Sequence, residues 1–122
     1  MNELKMKRIY ESAEPTDGTR ILVDRLWPRG ISKERAALTR WEKEITPSPD
    51  LRKWFGHEPE RFATFTELYQ KELDANPAGE GFLSEIGDFL KEGNVTLVYA
   101  AKDSACNHVL VLKDWIEERL KR

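Results

Sequence analysis

The sequence predicts an α/β domain with a small, largely parallel β-sheet flanked by helices. Three short apolar runs typical of strands occur at residues 6–10, 20–23 and 95–100, and helical stretches separate the last two. Strands separated by helical crossovers pair in parallel, and the helices cover the faces of the sheet. The length of 122 residues matches a single domain, 1–122, with one hydrophobic core.

The N-terminal part is predicted to contain two strands and one short helix. The strands run from Met6 to Tyr10 and from Arg20 to Val23, and a polar loop joins them. Ser32 is a helix-capping residue type and precedes a short helix that includes residues 33–38. Residues 41–45 fit either a helix or an exposed strand, and both alternatives stay open.

The remaining helices are recognised by their start signals and their apolar spacing. Ser48, followed by proline and aspartate, starts a helix over residues 49–55 that ends at Gly56. Apolar residues three and four positions apart predict helices over residues 59–75, 80–92 and 106–120. The strand at residues 95–100 is almost entirely apolar, which predicts a central strand buried on both faces.

The composition is that of a soluble, cytoplasmic protein. Hydrophobic residues make up 39% and charged residues 34% of the chain. No apolar run reaches the roughly 18 residues of a membrane span, and the first residues lack the apolar stretch of a signal peptide. The single cysteine, Cys106, excludes an internal disulfide and a multi-cysteine zinc site. Because there are also only two histidines, we predict no metal and no cofactor.

The net charge of −2 hides an uneven distribution along the chain. Residues 20–61 carry ten Lys/Arg and seven Asp/Glu, a net of +3, whereas residues 62–92 carry two and seven, a net of −5. A pI near 5.8 argues against sequence-independent nucleic-acid binding, which needs a clear basic surplus. A local site for an anion is compatible with the basic segment.

Two polar loops each follow a predicted strand. Residues 24–30 have the sequence DRLWPRG, and residues 102–108 have the sequence KDSACNH. In α/β proteins, ligands bind beyond the carboxyl ends of the strands, and parallel strands bring those ends to one edge of the sheet. We therefore expect both loops to line one concave site.

The first loop supplies candidate ligand-binding residues. Arg25 and Arg29 flank Trp27-Pro28, and the proline restricts the loop, which favours bidentate binding of carboxylate or phosphate by the arginines. The alternative is that Arg25 pairs with Asp24 or another acidic residue and only braces the loop. Trp27 is a candidate stacking surface, and Arg52 and His57 are candidates for the rim of the same site.

The second loop supplies the candidate catalytic residues. His108 lies at the predicted start of the last helix, where a neutral, proton-accepting imidazole is favoured, and Asp103 is a candidate to orient it. Lys102 would neutralise an anion, and Asn107 would contact the ligand or cap the helix. The structural alternatives are a hydrogen-bonding role for His108 and a solvated ion pair between Lys102 and Asp103.

The sequence resembles domain-of-unknown-function family 488, in its YeaO-like branch. The likeness covers nearly the whole chain, through the blocks VDRLWPRG, SKE, WEKEITPS, LRKWFGHEPERF, YQKEL, VTLVYAAKD and NH in this order. It implies a small α/β domain without an established activity. Some members of the family carry a cysteine that corresponds to Tyr99 and a Cys-His-Arg triplet that corresponds to residues 107–109. The resemblance therefore implies that this chain keeps the histidine and lacks the sulfur.

The leading functional hypothesis is a site for a small anion that carries a phosphate or carboxylate group. The site would either only bind this ligand or belong to a hydrolase or transferase in which His108 is the acid or base. Two alternatives remain from other classes. One is a nucleic-acid-binding or regulatory protein that uses the basic segment and Trp27. The other is a protein-interaction module with a charged docking surface. The sequence leaves the oligomeric state open.

Overall fold

The computed structural model describes residues 2–103 and 106–121, and its centre is a four-stranded parallel sheet. The strands in this part of the chain are β1 (Leu4–Arg8), β2 (Thr19–Leu22), β3 (Arg40–Trp41) and β4 (Val95–Tyr99), in the spatial order β1-β4-β2-β3. The α-helices are α1 (Lys33–Ala36), α2 (Pro49–Phe55), α3 (Phe62–Ala75), α4 (Gly79–Glu92) and α5 (His108–Leu120). Short 3-10 turns occupy Pro15–Asp17 and Pro59–Arg61. The predicted α/β fold is confirmed.

The position of β4 follows from its apolar sequence. It pairs in parallel with β1 on one side and with β2 on the other, and all five of its residues are buried. The first strand begins at Leu4, two residues earlier than predicted, because Leu4 is already in register with Val95. In the segment left open by the sequence, a two-residue strand pairs Trp41 with Leu22 at the edge of the sheet.

Side-chain caps set the starts of several helices. The Ser32 and Ser48 hydroxyl oxygens accept hydrogen bonds from the backbone N–H groups of Arg35 and Leu51, which satisfies donors that a helix start leaves free. Helix α2 ends at Gly56 in the left-handed conformation, with φ of 52°. The last helix begins at His108 rather than at Cys106, because the Asn107 side chain provides its cap.

The two faces of the sheet are packed differently. One face carries the main core, which includes alternate residues of β2 and β4 together with side chains of α2, α3, α4 and α5. The other face carries a small apolar cluster and a buried ion pair, in which the Arg20 guanidinium lies 2.6 Å from the Asp17 carboxylate. Burial opposes ionisation of Asp17, but hydrogen bonds from Lys7, the backbone and Arg20 hold its pKa below the ordinary value.

The parallel strands direct both candidate loops to one edge of the sheet. The backbone N–H of Val23 donates to the Val98 carbonyl at 3.0 Å, and that of Ile9 donates to the Tyr99 carbonyl at 2.7 Å. The ladder thus continues to the residues at which the chain leaves the sheet. The loop after β2 and the loop after β4 begin there side by side.

Candidate functional site

A cavity of about 540 Å³ lies at the carboxyl edge of the sheet. The loop after β2 forms one wall, and the segment around α2, from Thr46 to His57, forms the opposite wall. Ala100, Ala101 and His108 contribute the part next to β4 and α5. The cavity therefore lies where open α/β sheets usually bind ligands.

The cavity brings together six of the residues singled out from the sequence. They come from the loop after β2, from α2 and its end, and from the start of α5: Arg25, Trp27, Arg29, Arg52, His57 and His108. Lys102 is exposed and lies outside the cavity lining. Asn107 is buried, and its side chain caps α5 by accepting from two backbone N–H groups at 2.8 and 3.1 Å. Its contacts are those of a cap.

The carboxylate beside His108 Nε2 is that of Asp24, a residue that the sequence had not singled out as the partner of the imidazole. Asp24 Oδ1 lies 3.3 Å from His108 Nε2, and Oδ2 accepts from the Ala100 backbone N–H at 2.8 Å. The Asp103 carboxylate accepts from the Cys106 backbone N–H at 3.0 Å. Asp24 had no signal in the sequence beyond its place in the DRLWPRG motif.

His108 is fixed by the end of β2. Its Nε2 lies 2.7 Å from the Val23 carbonyl oxygen, which only accepts hydrogen bonds, so Nε2 carries a proton and is the donor. The side chain is 18% exposed, next to a carboxylate that is 16% exposed. These contacts join α5 to the end of β2 and fix the position of the imidazole in the cavity wall.

Arg25 does not brace the loop by pairing with Asp24, the structural alternative considered above. Its guanidinium donates a long hydrogen bond, 3.4 Å, to the Pro47 carbonyl across the cavity. Its Nε is buried and has no hydrogen-bond partner in the described part of the chain. A buried donor that lacks a partner is costly and calls for a ligand or an ordered water.

The rest of the first loop is held in place by hydrogen bonds to its backbone and side chains. The indole N–H of Trp27 donates to the Ile31 carbonyl at 2.7 Å, and the ring packs edge-on against Trp41 at 5.3 Å between centroids. The Tyr10 hydroxyl donates to the Arg29 carbonyl at 3.1 Å. Trp27 is half-buried by these contacts, which leaves part of the ring for a ligand.

The charges around the cavity are strongly unbalanced. Arg25, Arg29, Arg52 and Lys53 line it, and Asp24 is the acidic residue in the lining. Within residues 2–103 and 106–121, none of these four cations forms a salt bridge, whereas Asp24 is already engaged with Ala100 and His108. Lys53 was missed from the sequence because a lysine on a short helix is ordinary. The wall of the cavity has a net positive charge.

His57 occupies the rim in an uncommon backbone conformation. Its φ is 59°, in the left-handed region, directly after Gly56 in the same region. Its ring packs against Phe55 with centroids 5.9 Å apart, and the residue is exposed. A residue other than glycine in this conformation is often found at a functional site, since the strain needs another reason to persist.

A second, smaller cavity has the opposite charge. It measures about 350 Å³ and lies between β3 and α4, with Glu42, Glu44 and Glu85 in its lining. Burial raises the pKa of Glu42 to about 7, helped by a hydrogen bond with Glu85 and by the charge of that residue. In the described residues, no group of three or more His, Cys, Asp or Glu side chains is arranged to hold a metal ion.

The chain belongs to the family described as the inactive DUF488-N3 subclade, whose model matches residues 3–122. This confirms the family resemblance of the sequence. In the described residues, no helix is long and apolar enough to cross a membrane.

The chain is 51% identical over 113 residues to "Uncharacterized protein YeaO" of Escherichia coli, covering 93% of this chain and 96% of that protein. It is 39% identical over 116 residues to "Uncharacterized protein Rv3073c" of Mycobacterium tuberculosis and to "Uncharacterized protein Mb3100c" of Mycobacterium bovis, covering 95% of both chains in each pair. No solved structure matches the chain significantly.

Tyr99 and Asn107, which the family resemblance sets against cysteines, have structural roles here. Tyr99 ends β4 and is 3% exposed within the main core. Asn107 caps α5 and also donates to the Asp103 carbonyl at 2.6 Å. Cys106 is half-buried and is absent from the cavity lining. A thiol nucleophile is therefore missing from the described lining of the cavity.

Proposed function

We propose that the cavity at the carboxyl edge of the sheet binds a small molecule with a phosphate or carboxylate group. The observation that carries this proposal is a set of four cations around the cavity, none of which forms a salt bridge within the described residues, beside a carboxylate that already contacts Ala100 and His108. Arginine is suited to carboxylate and phosphate because its planar donors bind two oxygens at once. Arg25 is the central residue, since its buried Nε lacks a partner.

The site is better suited to binding than to turnover. The described lining contains one hydroxyl side chain, that of Thr46, which already donates to the Lys43 carbonyl at 2.7 Å. Nucleophilic catalysis needs an activated nucleophile beside a base, and the thiol positions of some relatives are occupied by Tyr99 and Asn107. The description of the family as an inactive subclade supports the same conclusion. His108 then serves as a fixed part of the wall.

The experiment is calorimetric titration with inorganic phosphate and with small organic phosphates and carboxylates. We expect Arg25→Ala to weaken binding by about 1.5–3 kcal/mol, or roughly 10- to 150-fold, the scale of a hydrogen bond to a charged group. Lys71→Ala is the matched control, because Lys71 is exposed on α3 and lies outside the cavity lining. This variant should bind like the unmodified protein.

Two results would contradict the proposal. If no anion binds, or if Arg25→Ala and Lys71→Ala have equal effects, the cavity is not an anion site. Affinity for oligonucleotides that falls steeply with salt would favour the nucleic-acid alternative instead. An assay with phosphate esters checks the enzymatic alternative, since turnover that disappears in His108→Ala with unchanged affinity would make the protein a catalyst.

A further inference from the structure

The cavity has an apolar half that an inorganic anion would leave unused. Nine of its 17 lining residues are leucine, tryptophan, proline, phenylalanine or alanine. Phe55 and Phe65 stack with their centroids 4.3 Å apart below the cations of α2. Organic ligands occupy pockets of roughly 300–1,000 Å³ with mostly apolar walls and a few polar groups. A cavity of about 540 Å³ falls within this range.

Leu26 is the most exposed large hydrophobic side chain in the described residues. It is 70% exposed, compared with 41% for Trp54 and 39% for Leu68. It lines the cavity between two residues that are held in place, since Arg25 donates to Pro47 and Trp27 donates to Ile31. The loop therefore keeps an apolar side chain in water beside a cationic site.

We propose that the ligand is an organic anion with an apolar body, and that this body covers Leu26 while Arg25 binds the anionic group. This inference rests on the proposed function. Coverage of Leu26 removes its apolar surface from water, which stabilises the complex in proportion to the area buried. The arginines would bind inorganic phosphate and an organic phosphate alike. The apolar half of the cavity would favour the organic anion, because only that ligand can cover it.

The test is calorimetric titration with three probes that share one anionic group: inorganic phosphate, phenyl phosphate and 1-naphthyl phosphate. We expect affinity to rise along this series, by at least tenfold from the first to the last. Leu26→Ala should weaken 1-naphthyl phosphate binding about five- to tenfold and leave inorganic phosphate binding unchanged, because only the apolar contact is lost.

Leu68→Ala is the matched control, since it truncates an exposed leucine on α3 outside the cavity lining. It should bind all three probes like the unmodified protein. Thermal unfolding of the Leu26→Ala variant should show an unchanged midpoint, which establishes that the loop is intact.

The outcomes separate the inference from the function on which it rests. Equal affinity for the three probes overturns the inference and leaves an anion site. The inference is also overturned if Leu26→Ala lowers the affinity for inorganic phosphate and for 1-naphthyl phosphate equally. Leu26 would then not contact the apolar body of the ligand. If no probe binds, the proposed function itself is wrong. Tighter, Leu26-dependent binding of a single-stranded oligonucleotide would assign the surface to nucleic acid.

Discussion

Replacement of Asp24 by alanine should lower stability and raise anion affinity in the same protein. Asp24 contributes the carboxylate of the cavity lining, and it also holds the two loops together. Its Oδ2 accepts from Ala100 at 2.8 Å, and its backbone carbonyl accepts from the Trp41 indole N–H at 2.7 Å. Only the first of these contacts is lost in Asp24→Ala, since the second uses the main chain.

The two magnitudes follow from these contacts. A hydrogen bond to a charged group contributes about 1.5–3 kcal/mol, so the free energy of unfolding should fall by this amount. A ligand anion at roughly 6 Å from Asp24, with an effective dielectric constant of about 40–80, is repelled by about 0.7–1.4 kcal/mol. Loss of the carboxylate should therefore tighten anion binding about three- to tenfold.

Urea denaturation and calorimetric titration with 1-naphthyl phosphate measure the two effects separately. Asp24→Asn is the matched control, because its amide oxygen still accepts from Ala100 while the charge is absent. It should keep most of the stability and show the same gain in affinity. If Asp24→Ala weakens anion binding as Arg25→Ala does, Asp24 acts by positioning the site through His108, and the electrostatic argument is refuted.

Two further predictions concern Glu42 and His57. Because the pKa of Glu42 is raised to about 7 from 4.5, its contribution to the free energy of unfolding is present at low pH and is lost as the pH rises through 7. The loss of unfolding free energy between pH 5 and pH 8 is on the order of 1 kcal/mol for a partly exposed group, and Glu42→Gln should reduce it. Urea denaturation at the two pH values measures the effect. An equal loss in the variant and the unmodified protein would contradict the prediction. His57→Gly should raise stability by about 0.5–1 kcal/mol by relieving the left-handed φ of 59°, and should weaken anion binding. A less stable variant with normal affinity would show that the imidazole only packs against Phe55.

Local signals in the sequence predicted most of the secondary structure. The caps at Ser32 and Ser48, the stop at Gly56 and the apolar run of β4 all act through neighbouring residues. The short strand β3 was not determined locally, because Arg40 and Trp41 form a strand only by pairing with β2. The order of the strands was unreadable for the same reason, since it depends on contacts between distant segments.

The candidate site shows the same division between local and distant information. Parallel pairing was enough to predict that residues after β2 and β4 meet at one edge of the sheet. The cavity lining there includes the loop after β2, but only His108 of the described residues of the second loop. The partner of His108 was not predictable, because Asp103 is five residues away in sequence and Asp24 reaches it only across the sheet edge. The Asp103 carboxylate accepts from the Cys106 backbone N–H. Sequence distance pointed to Asp103, whereas the carboxylate next to His108 Nε2 comes from the distant Asp24.

The position of Asp24 also explains why Arg25 has no carboxylate partner within the described residues. Although the two residues are adjacent, Asp24 contacts Ala100 and His108, whereas Arg25 donates to Pro47. Because Asp24 joins the two loops, the excess positive charge of the cavity follows from the way the sheet edge is closed. The anion that we propose as ligand would balance this charge.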